Sequence, residues 1–392
     1  MHLTKLEEQI LNGEQGEAKQ KAINFLVKLG DKNKADNLIP IRSAHIPNLS
    51  YTEISESEIV SLEKWAEHFP KVEVPTTLNA GGVSRTTPDF VDDLPKQGRI
   101  INAFKAFHAI PALTTAPYTT ENIPKQGQDL AWGHESAVVY GNSILGACTN
   151  SHNWQTALSS ALLSRTPNYG LHLQQNREPE LTLKVAEKLF GYEDFSALGY
   201  YVSQEYPNKL INFKFSSKPN KENLQALASG YSANTKKFMF TLNEKGAQGR
   251  RGSGAQIEKI DVTFAEIDTV FQEFSTDSEP DFVAVGCPHL SNHEFQKTSR
   301  ILKGKKLHKS TKFWIYTSEK VRSDLELDGP EENIKRAGGI VATDACPCLA
   351  PLDRFGIKCV RTNSAELCAK VKSLGLEAQL SSFDDIVKWG FR

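Results

Sequence analysis

The spacing of apolar positions predicts helices at the start of the chain. Residues 4–7 have the pattern of a capping box, which favours a helix start, and Asn12 and Gly13 indicate where that short helix ends. A longer helix is predicted over residues 16–29, with Gly30 as its end. The apolar residues of this segment recur at helical spacing, namely Ala18, Ala22, Phe25, Leu26 and Leu29.

Later in the chain the pattern changes to short runs rich in β-branched and aromatic residues, which predict strands. These runs are residues 238–242, 282–286, 313–317, 340–343 and 357–360. Between them, residues 291–294 and 363–366 have the capping-box pattern and are predicted to open helices that run to Leu302 and Val371. Strands that alternate with helices indicate βαβ units and a parallel sheet, so the fold class is α/β.

Polar and sulfur-bearing residues follow three of the predicted strands. Cys287, the segment 344–346 and the segment 362–364 each fall just after one of the runs. Because ligands bind beyond the carboxyl ends of the strands in parallel sheets, these residues are predicted to share one site.

Composition and charge exclude several classes of protein. In 392 residues, 46 Lys and Arg against 47 Asp and Glu give a formal net charge of −1, which argues against a basic nucleic-acid binder and against a polybasic membrane binder. An anionic small-molecule substrate must then be held by local groups. Six cysteines are far below the density of a disulfide scaffold. The first eight residues lack the apolar region of a signal peptide, and no apolar run approaches the length of a membrane span, so we expect a cytoplasmic protein with reduced thiols.

Several residue groups have the chemistry of a site. Cys287 in Gly-Cys-Pro-His, and Cys346 with Cys348 in Asp-Ala-Cys-Pro-Cys, can ligate zinc or an iron–sulfur cluster, although a cysteine at a strand end is more often a small buried apolar residue. The adjacent His134 and Glu135 have acid–base chemistry, but neighbours on a helix point about 100° apart. The glycine-rich loop 245–254 is either a phosphate cradle or a flexible surface loop.

The order of several segments resembles the large, catalytic subunit of the aconitase X family. The resemblance runs from Leu3 to about residue 372 and rests on residues 3–13, 38–45, 75–79, 135–146, 165–172, 286–289 and 362–365. It implies an aconitase-like catalytic region over residues 1–392, built of about three α/β/α lobes around a central site and lacking the swivelling domain. A separate small, swivelling subunit is therefore the implied partner, and it would supply the catalytic base.

The resemblance also implies a reaction. An iron–sulfur cluster, expected to be of the [4Fe-4S] type, would act as Lewis acid in a hydro-lyase. The archaeal type of the family would dehydrate (R)-5-phosphomevalonate to trans-anhydromevalonate 5-phosphate in isoprenoid biosynthesis. The alternatives are a dehydratase of another hydroxy acid, such as cis-3-hydroxyproline, and a non-catalytic scaffold that has lost the cluster.

The family's functional positions map onto this sequence as follows. Cys287 and Cys346 match cluster ligands. The positions that match or lie near substrate contacts are Asn48, Leu49, Ser50, Asn79, Ala80, His134, Glu135 and Ser364. The chain departs from the family where the first cluster cysteine is expected, because Thr115 stands there, and where an arginine is expected, because Cys148 stands there.

The coincident loss and gain suggest the hypothesis that Cys148 replaces the missing ligand, giving a metal-ligand set of Cys148, Cys287 and Cys346. The alternative is sequence drift, which leaves a different metal centre or none. Cys348 stands at a position that is commonly aliphatic in the family and has no assigned role, and Cys359 and Cys368 are interpreted as packing residues.

Overall fold

A computed structural model of the chain describes residues 1–67, 71–87, 92–243, 257–325 and 329–392. The α-helices are α1 Lys5–Leu11, α2 Glu17–Lys32, α3 Glu56–Ala66, α4 Leu94–Ala106, α5 Glu135–Ser143, α6 Trp154–Leu163, α7 Tyr192–Glu205, α8 Lys221–Ser232, α9 Phe264–Glu273, α10 Asn292–Leu302, α11 Glu319–Asp324, α12 Pro330–Ala337, α13 Ala365–Ser373 and α14 Phe383–Gly390. The strands are β1 Leu38–Pro40, β2 Ala44–Ile46, β3 Thr76–Leu78, β4 Ala131–Trp132, β5 Arg165–Pro167, β6 Leu181–Val185, β7 Ile211–Phe215, β8 Phe240–Leu242, β9 Glu258–Val262, β10 Phe282–Leu290, β11 Lys312–Thr317, β12 Ile340–Thr343, β13 Cys359–Thr362 and β14 Glu377–Leu380.

Three parallel sheets organise the molecule, and they confirm the predicted α/β class. The first sheet has the strand order β3-β2-β4, the second β8-β7-β6-β9 and the third β12-β11-β10-β13-β14. A two-stranded antiparallel pair, β1-β5, accompanies the first sheet. In order along the chain, the three sheets lie in its first, middle and last parts.

Helices cover both faces of the third sheet, as a parallel sheet requires. Along β10, the side chains of Phe282 and Ala284 belong to a large apolar core that also includes residues of the first two sheets. Val283 and Val285 point to the opposite face and pack with Phe295 of α10 in a second core. The alternation explains why β10 is buried at every position, since neither face meets water. Among the helices of the described residues, none is long and apolar enough to cross a membrane.

The first helices follow the predicted pattern with one difference. Thr4 caps α1 through a capping box, because its side chain accepts from the backbone N–H of Glu7 and its own N–H donates to the Glu7 carboxylate at 2.7 Å. Helix α2, however, continues through Gly30 to Lys32, so the prediction that Gly30 ends it was wrong. Gly30 is instead a packing residue, since a Cβ there would lie 2.6 Å from the sulfur of Met1.

The strand predictions of the last part are confirmed, with shifted ends. Strand β10 runs on to Leu290, because its pairing with β11 resumes there after a register shift that follows Val285. Strand β13 begins two residues later than the run of apolar residues indicates. The helix predicted from the box at 363–366 starts one residue later, with Ser364 as its cap. The Glu366 side chain therefore does not cap the helix, and it contacts Ser229 and Cys287 instead.

Candidate active site

The carboxyl ends of the first and third sheets meet. Gly81, just after β3, forms a parallel bridge with Ala345, just after β12. The Gly81 N–H donates to the carbonyl oxygen of Asp344 at 3.1 Å, and the Cys346 N–H donates to the carbonyl oxygen of Gly81 at 2.8 Å. Ser50, after β2, adds a bond from its hydroxyl to the carbonyl oxygen of Leu349 at 3.2 Å. The residues that follow strands in both sheets therefore line one region.

Three thiols lie together in this region. Cys287 is in the irregular end of β10, and Cys346 and Cys348 are in the turn after β12. The Sγ atoms of Cys287 and Cys348 are 3.4 Å apart. A hydrogen bond from Cys348 lowers the pKa of the Cys287 thiol, but burial and the charges of Glu366 and Cys346 outweigh it and raise that pKa to about 11. Hydrogen bonds to Cys287 and Cys346 raise the pKa of Cys348, and burial adds to this.

These thiols fit an iron–sulfur cluster by donor type. Thiolates are the usual ligands of such clusters, and they must lose their protons when they bind metal. Across the described parts of the chain, no three His, Cys, Asp or Glu side chains are arranged as ligands of one single metal ion. The match to such a cluster therefore rests on the chemistry of the thiol donors and not on a preformed cage of ligands.

A buried carboxyl group lies against the thiols. The Sγ atom of Cys287 donates to Oε2 of Glu366 at 3.8 Å, and the hydroxyl of Ser229 on α8 donates to the same oxygen. Burial raises the pKa of Glu366 to about 7, against hydrogen bonds that lower it, and the charge of Glu135 raises it further. Glu366 is thus able to hold or release a proton near neutral pH. Sequence reasoning missed this residue, because it was interpreted as part of a capping box.

His289, two residues after Cys287, forms hydrogen bonds both with a residue of the first part of the chain and with the turn after β12. Its Nε2 donates to the carbonyl oxygen of Ala345 at 2.7 Å, and its backbone N–H donates to the hydroxyl oxygen of Thr115 at 2.9 Å. Burial lowers the pKa of the imidazole to about 4, so His289 is neutral at physiological pH. Its Nδ1 has no hydrogen-bond partner among the described residues.

His134 interacts electrostatically with two other buried imidazoles, those of His45 and His289. It precedes α5 with φ +68°, an unusual backbone value for a residue other than glycine, and its Nε2 lies 3.1 Å from the Ser136 hydroxyl. Burial lowers its pKa. Burial lowers the pKa of His45 to about 3 and that of His289 to about 4, and the charged form of His134 lowers both pKa values further. Glu135, the next residue, is exposed.

The remaining predicted substrate residues follow the strands of the first sheet or open α13. Asn48, with φ +56°, Leu49 and Ser50 follow β2, and the carbonyl oxygen of Leu49 accepts from the Gln97 amide at 2.6 Å. Asn79 and Ala80 follow β3 and are fully buried. The Asn79 side-chain amide is buried, and burial lowers the pKa of the His45 imidazole more than the hydrogen bond of that ring with the Asn79 amide raises it.

The side chain of Ser364 caps its own helix, α13. Its hydroxyl accepts from the Leu367 N–H at 3.3 Å, and the N–H of Ala365 donates to the Ser196 hydroxyl oxygen at 2.9 Å. The start of α13 is therefore partly satisfied by the protein itself. The hydroxyl of Ser364 also contacts Cys287, which places the residue at the thiols.

Cys148 has different neighbours. It forms a backbone bridge with Asp129, and its N–H donates to the carbonyl oxygen of Gln128 at 2.9 Å. Burial raises the pKa of its thiol, while the charge of Arg177 lowers it. Its described partners do not include Cys287 or Cys346. The glycine-rich loop 245–254 lies outside the residues that the structure describes.

The comparisons with known proteins agree with this architecture. The model of the aconitase X first domain matches residues 1–175, and that of the aconitase X third domain matches residues 280–391. The phosphomevalonate dehydratase large subunit of Methanocaldococcus jannaschii is 35% identical over 95% of this chain and 96% of its own length. The cis-3-hydroxy-L-proline dehydratase of Hypocrea jecorina is 28% identical over 91% of this chain and 63% of its own length. The crystal structure of aconitase X from Thermococcus kodakaraensis, in its holo-form, superposes with a TM-score of 0.91 at 33% identity and covers 100% of both chains. The chain belongs to the aconitase X family.

Proposed function

We propose that this chain is the catalytic large subunit of a phosphomevalonate dehydratase, a hydro-lyase that converts (R)-5-phosphomevalonate to trans-anhydromevalonate 5-phosphate. The observation that carries the proposal is the match to the archaeal large subunit, which extends over nearly the whole of both chains. The hydroxyproline dehydratase is less similar, and this chain spans about two thirds of its length.

The cofactor of the proposed enzyme is an iron–sulfur cluster of the [4Fe-4S] type. Cys287 and Cys346 would hold it, with a third cysteine for which the sequence suggests Cys148. When bound, the cluster supplies a Lewis acid that polarises the substrate hydroxyl so that water leaves more easily. The support is the group of thiols at the meeting point of two sheets, beside a carboxyl group and neutral imidazoles.

The side chains around the thiols have distinct roles in this proposal. Glu366, whose pKa is raised to about 7 chiefly by burial, holds the proton that the departing hydroxyl group needs. Asn79 orients the substrate through its buried amide. Asn48, Leu49, Ser50, Ala80, His134, Glu135 and Ser364 complete the proposed substrate contacts.

The anionic end of the substrate requires local cations, because the net charge of the chain is −1. A cavity of about 740 Å³ lies between the first and third sheets and includes Ser84, Arg85 and Arg322 in its lining, beside Asp344. Arg322 is already paired with Glu319, at 2.5 Å. Arg85 and Lys105, which also line the cavity, are therefore the cations that we assign to the substrate's charged groups.

A small, swivelling subunit is the proposed partner, and it would provide the base that removes the proton from carbon. The support is the name of the archaeal relative, which is a large subunit. We further propose that the three parallel sheets correspond to three lobes of one catalytic region over residues 1–392, and that the enzyme works in the cytoplasm, where thiols stay reduced.

The test is an assay of the whole complex. The chain is co-expressed with a small-subunit gene from the same genome, purified anaerobically and supplied with iron and sulfide. Water loss from (R)-5-phosphomevalonate, followed by mass spectrometry of the product, is the expected result. Turnover of cis-3-hydroxyproline alone would replace the proposal with the alternative substrate. A complex that binds iron but dehydrates neither compound would contradict it.

A further inference from the structure

We infer that Cys348 is the third thiolate ligand of the metal centre in this chain, together with Cys287 and Cys346. The inference rests on the proposed function, since it concerns the centre that the proposed enzyme would carry. It assigns a ligand position to a cysteine for which the family resemblance provides no role.

The position of Cys348 carries the inference. Its Sγ atom is 3.4 Å from that of Cys287, so a sulfur atom of the turn after β12 contacts a sulfur atom of β10. The turn that contains it is fixed, because the N–H groups of Leu349 and Ala350 both donate to the carbonyl oxygen of Cys346, at 3.0 and 3.1 Å. Cys348 is partly exposed, whereas Cys287 and Cys346 are buried. A group bound by the two buried thiols would therefore meet Cys348 on its open side.

Because Thr115 stands where the family resemblance implies a cysteine ligand, a third thiolate must come from another position in the chain. Its hydroxyl oxygen accepts the backbone N–H of His289, two residues after Cys287, so Thr115 lies beside the thiols. A hydroxyl oxygen that already accepts a hydrogen bond is a poor ligand for a centre that prefers soft thiolates. Thr115 thus lies where a ligand is expected but does not provide a thiolate. Cys348 provides an additional sulfur atom in contact with Cys287.

The other cysteines are held in different surroundings. Cys148 has Asp129 and Arg177 as its charged neighbours, and its backbone N–H and C=O are both engaged, with Gln128 and Leu130. The thiol of Cys359, at the start of β13, donates to the carbonyl oxygen of Ser278 at 3.7 Å. The start of a parallel strand is the end of the sheet opposite to the site, so Cys359 provides a matched control.

The experiment measures metal content directly. The co-expressed complex is purified anaerobically as wild type, Cys348→Ala, Cys148→Ala and Cys359→Ala, each with a thermal melt to verify folding. Iron, acid-labile sulfide and the visible absorption of the cluster are recorded for each. We expect iron and sulfide per chain to fall at least about twofold in Cys348→Ala alone, because a cluster held by two thiolates is lost more easily. The double variant Thr115→Cys with Cys348→Ala is expected to regain iron.

A second readout uses the partial exposure of Cys348. In the loaded complex, iodoacetamide should leave Cys348 unmodified, and removal of iron with a chelator should make it reactive, as followed by peptide mass spectrometry. Cys348 that alkylates equally fast with and without iron would overturn the inference. So would full iron content in Cys348→Ala, or iron loss confined to Cys148→Ala, or a wild-type complex without iron that has a Cys287–Cys348 disulfide. Dehydration of phosphomevalonate by the wild-type complex is scored separately, so that a failed ligand assignment is distinguished from a failed function.

Discussion

His289 and Ala345 are joined by a 2.7 Å hydrogen bond from the imidazole Nε2 to the backbone carbonyl oxygen. The bond links the end of β10 to the turn after β12. It therefore fixes the distance between the segment that contains Cys287 and the segment that contains Cys346. Because a carbonyl oxygen only accepts, the proton is on Nε2, and Nδ1 of the neutral ring has no described partner.

Replacement of His289 by alanine is expected to loosen this link. The Ala345 oxygen would lose its donor in a buried place, which costs about 1–3 kcal/mol in the free energy of unfolding. Urea unfolding of the variant checks this value, and iron content after anaerobic loading checks the effect on the thiols, which we expect to be a loss. His308→Ala is the matched control, since His308 is exposed. Equal stability of the two variants would show that the bond does not hold the site together.

Glu366 provides a test of the proposed proton transfer. Glu366→Gln keeps an oxygen that can accept the Ser229 hydroxyl, but it cannot donate or accept the proton. We expect kcat for phosphomevalonate dehydration to fall by about 10²–10⁴, the usual contribution of a general acid, at unchanged iron content. Ser229→Ala, which removes only the hydrogen bond, should lower kcat much less. Near-normal turnover by Glu366→Gln would exclude this carboxyl group as the proton donor.

The strand pattern predicted the position of Cys287 and Cys346 at the carboxyl end of one sheet, because runs of β-branched and aromatic residues are a local signal. The same signal could not predict which thiols touch. Whether Cys346 and Cys348 face one side depends on the turn that follows β12, in which the Cys346 oxygen accepts two N–H groups.

The role of Glu366 was also beyond the sequence. Asn363 and Ser364 are both good helix caps, so the start of α13 was ambiguous by one residue, and the wrong choice assigned the carboxylate to a capping box. Its contact with Ser229 joins residues 137 positions apart. Such a contact depends on how α8 packs against α13, which no local pattern encodes.

The buried carboxyl group of Glu294 makes stability depend on pH. Burial raises its pKa from 4.5 to about 7, although the backbone and hydroxyl of Ser291 favour the charged form. The charge of Glu222 raises the pKa, and that of His293 lowers it. Above pH 4.5 the unfolded chain releases this proton while the folded chain retains it, so the contribution to stability is greatest at low pH and is lost as the pH rises to 7.

Glu294→Gln keeps the size and an acceptor oxygen but removes this titration. The free energy of unfolding of the wild type is expected to fall, relative to the variant, by about 2 kcal/mol between pH 5 and pH 8. Urea titrations of both proteins at the two pH values measure the difference. Parallel pH profiles would mean that Glu294 is charged in the folded protein.

Helices α7 and α8, which connect strands of the second sheet, carry serines that contact α13 beside the thiols. The close packing of these two helices depends on a glycine. A Cβ on Gly230 would lie 1.9 Å from the carbonyl oxygen of Ser196, so Gly230→Ala must push the two helices apart. We expect a loss of about 1–3 kcal/mol in the free energy of unfolding, and a lower kcat, because Ser229 contacts Glu366 and Ser196 accepts the N–H at the start of α13. Gly98→Ala in α4 is the matched control: its Cβ meets nothing within 4 Å, and we expect it to stabilise the protein by about 0.5–1 kcal/mol. If Gly230→Ala were as stable and as active as wild type, the close approach of the helices would not be what positions these serines.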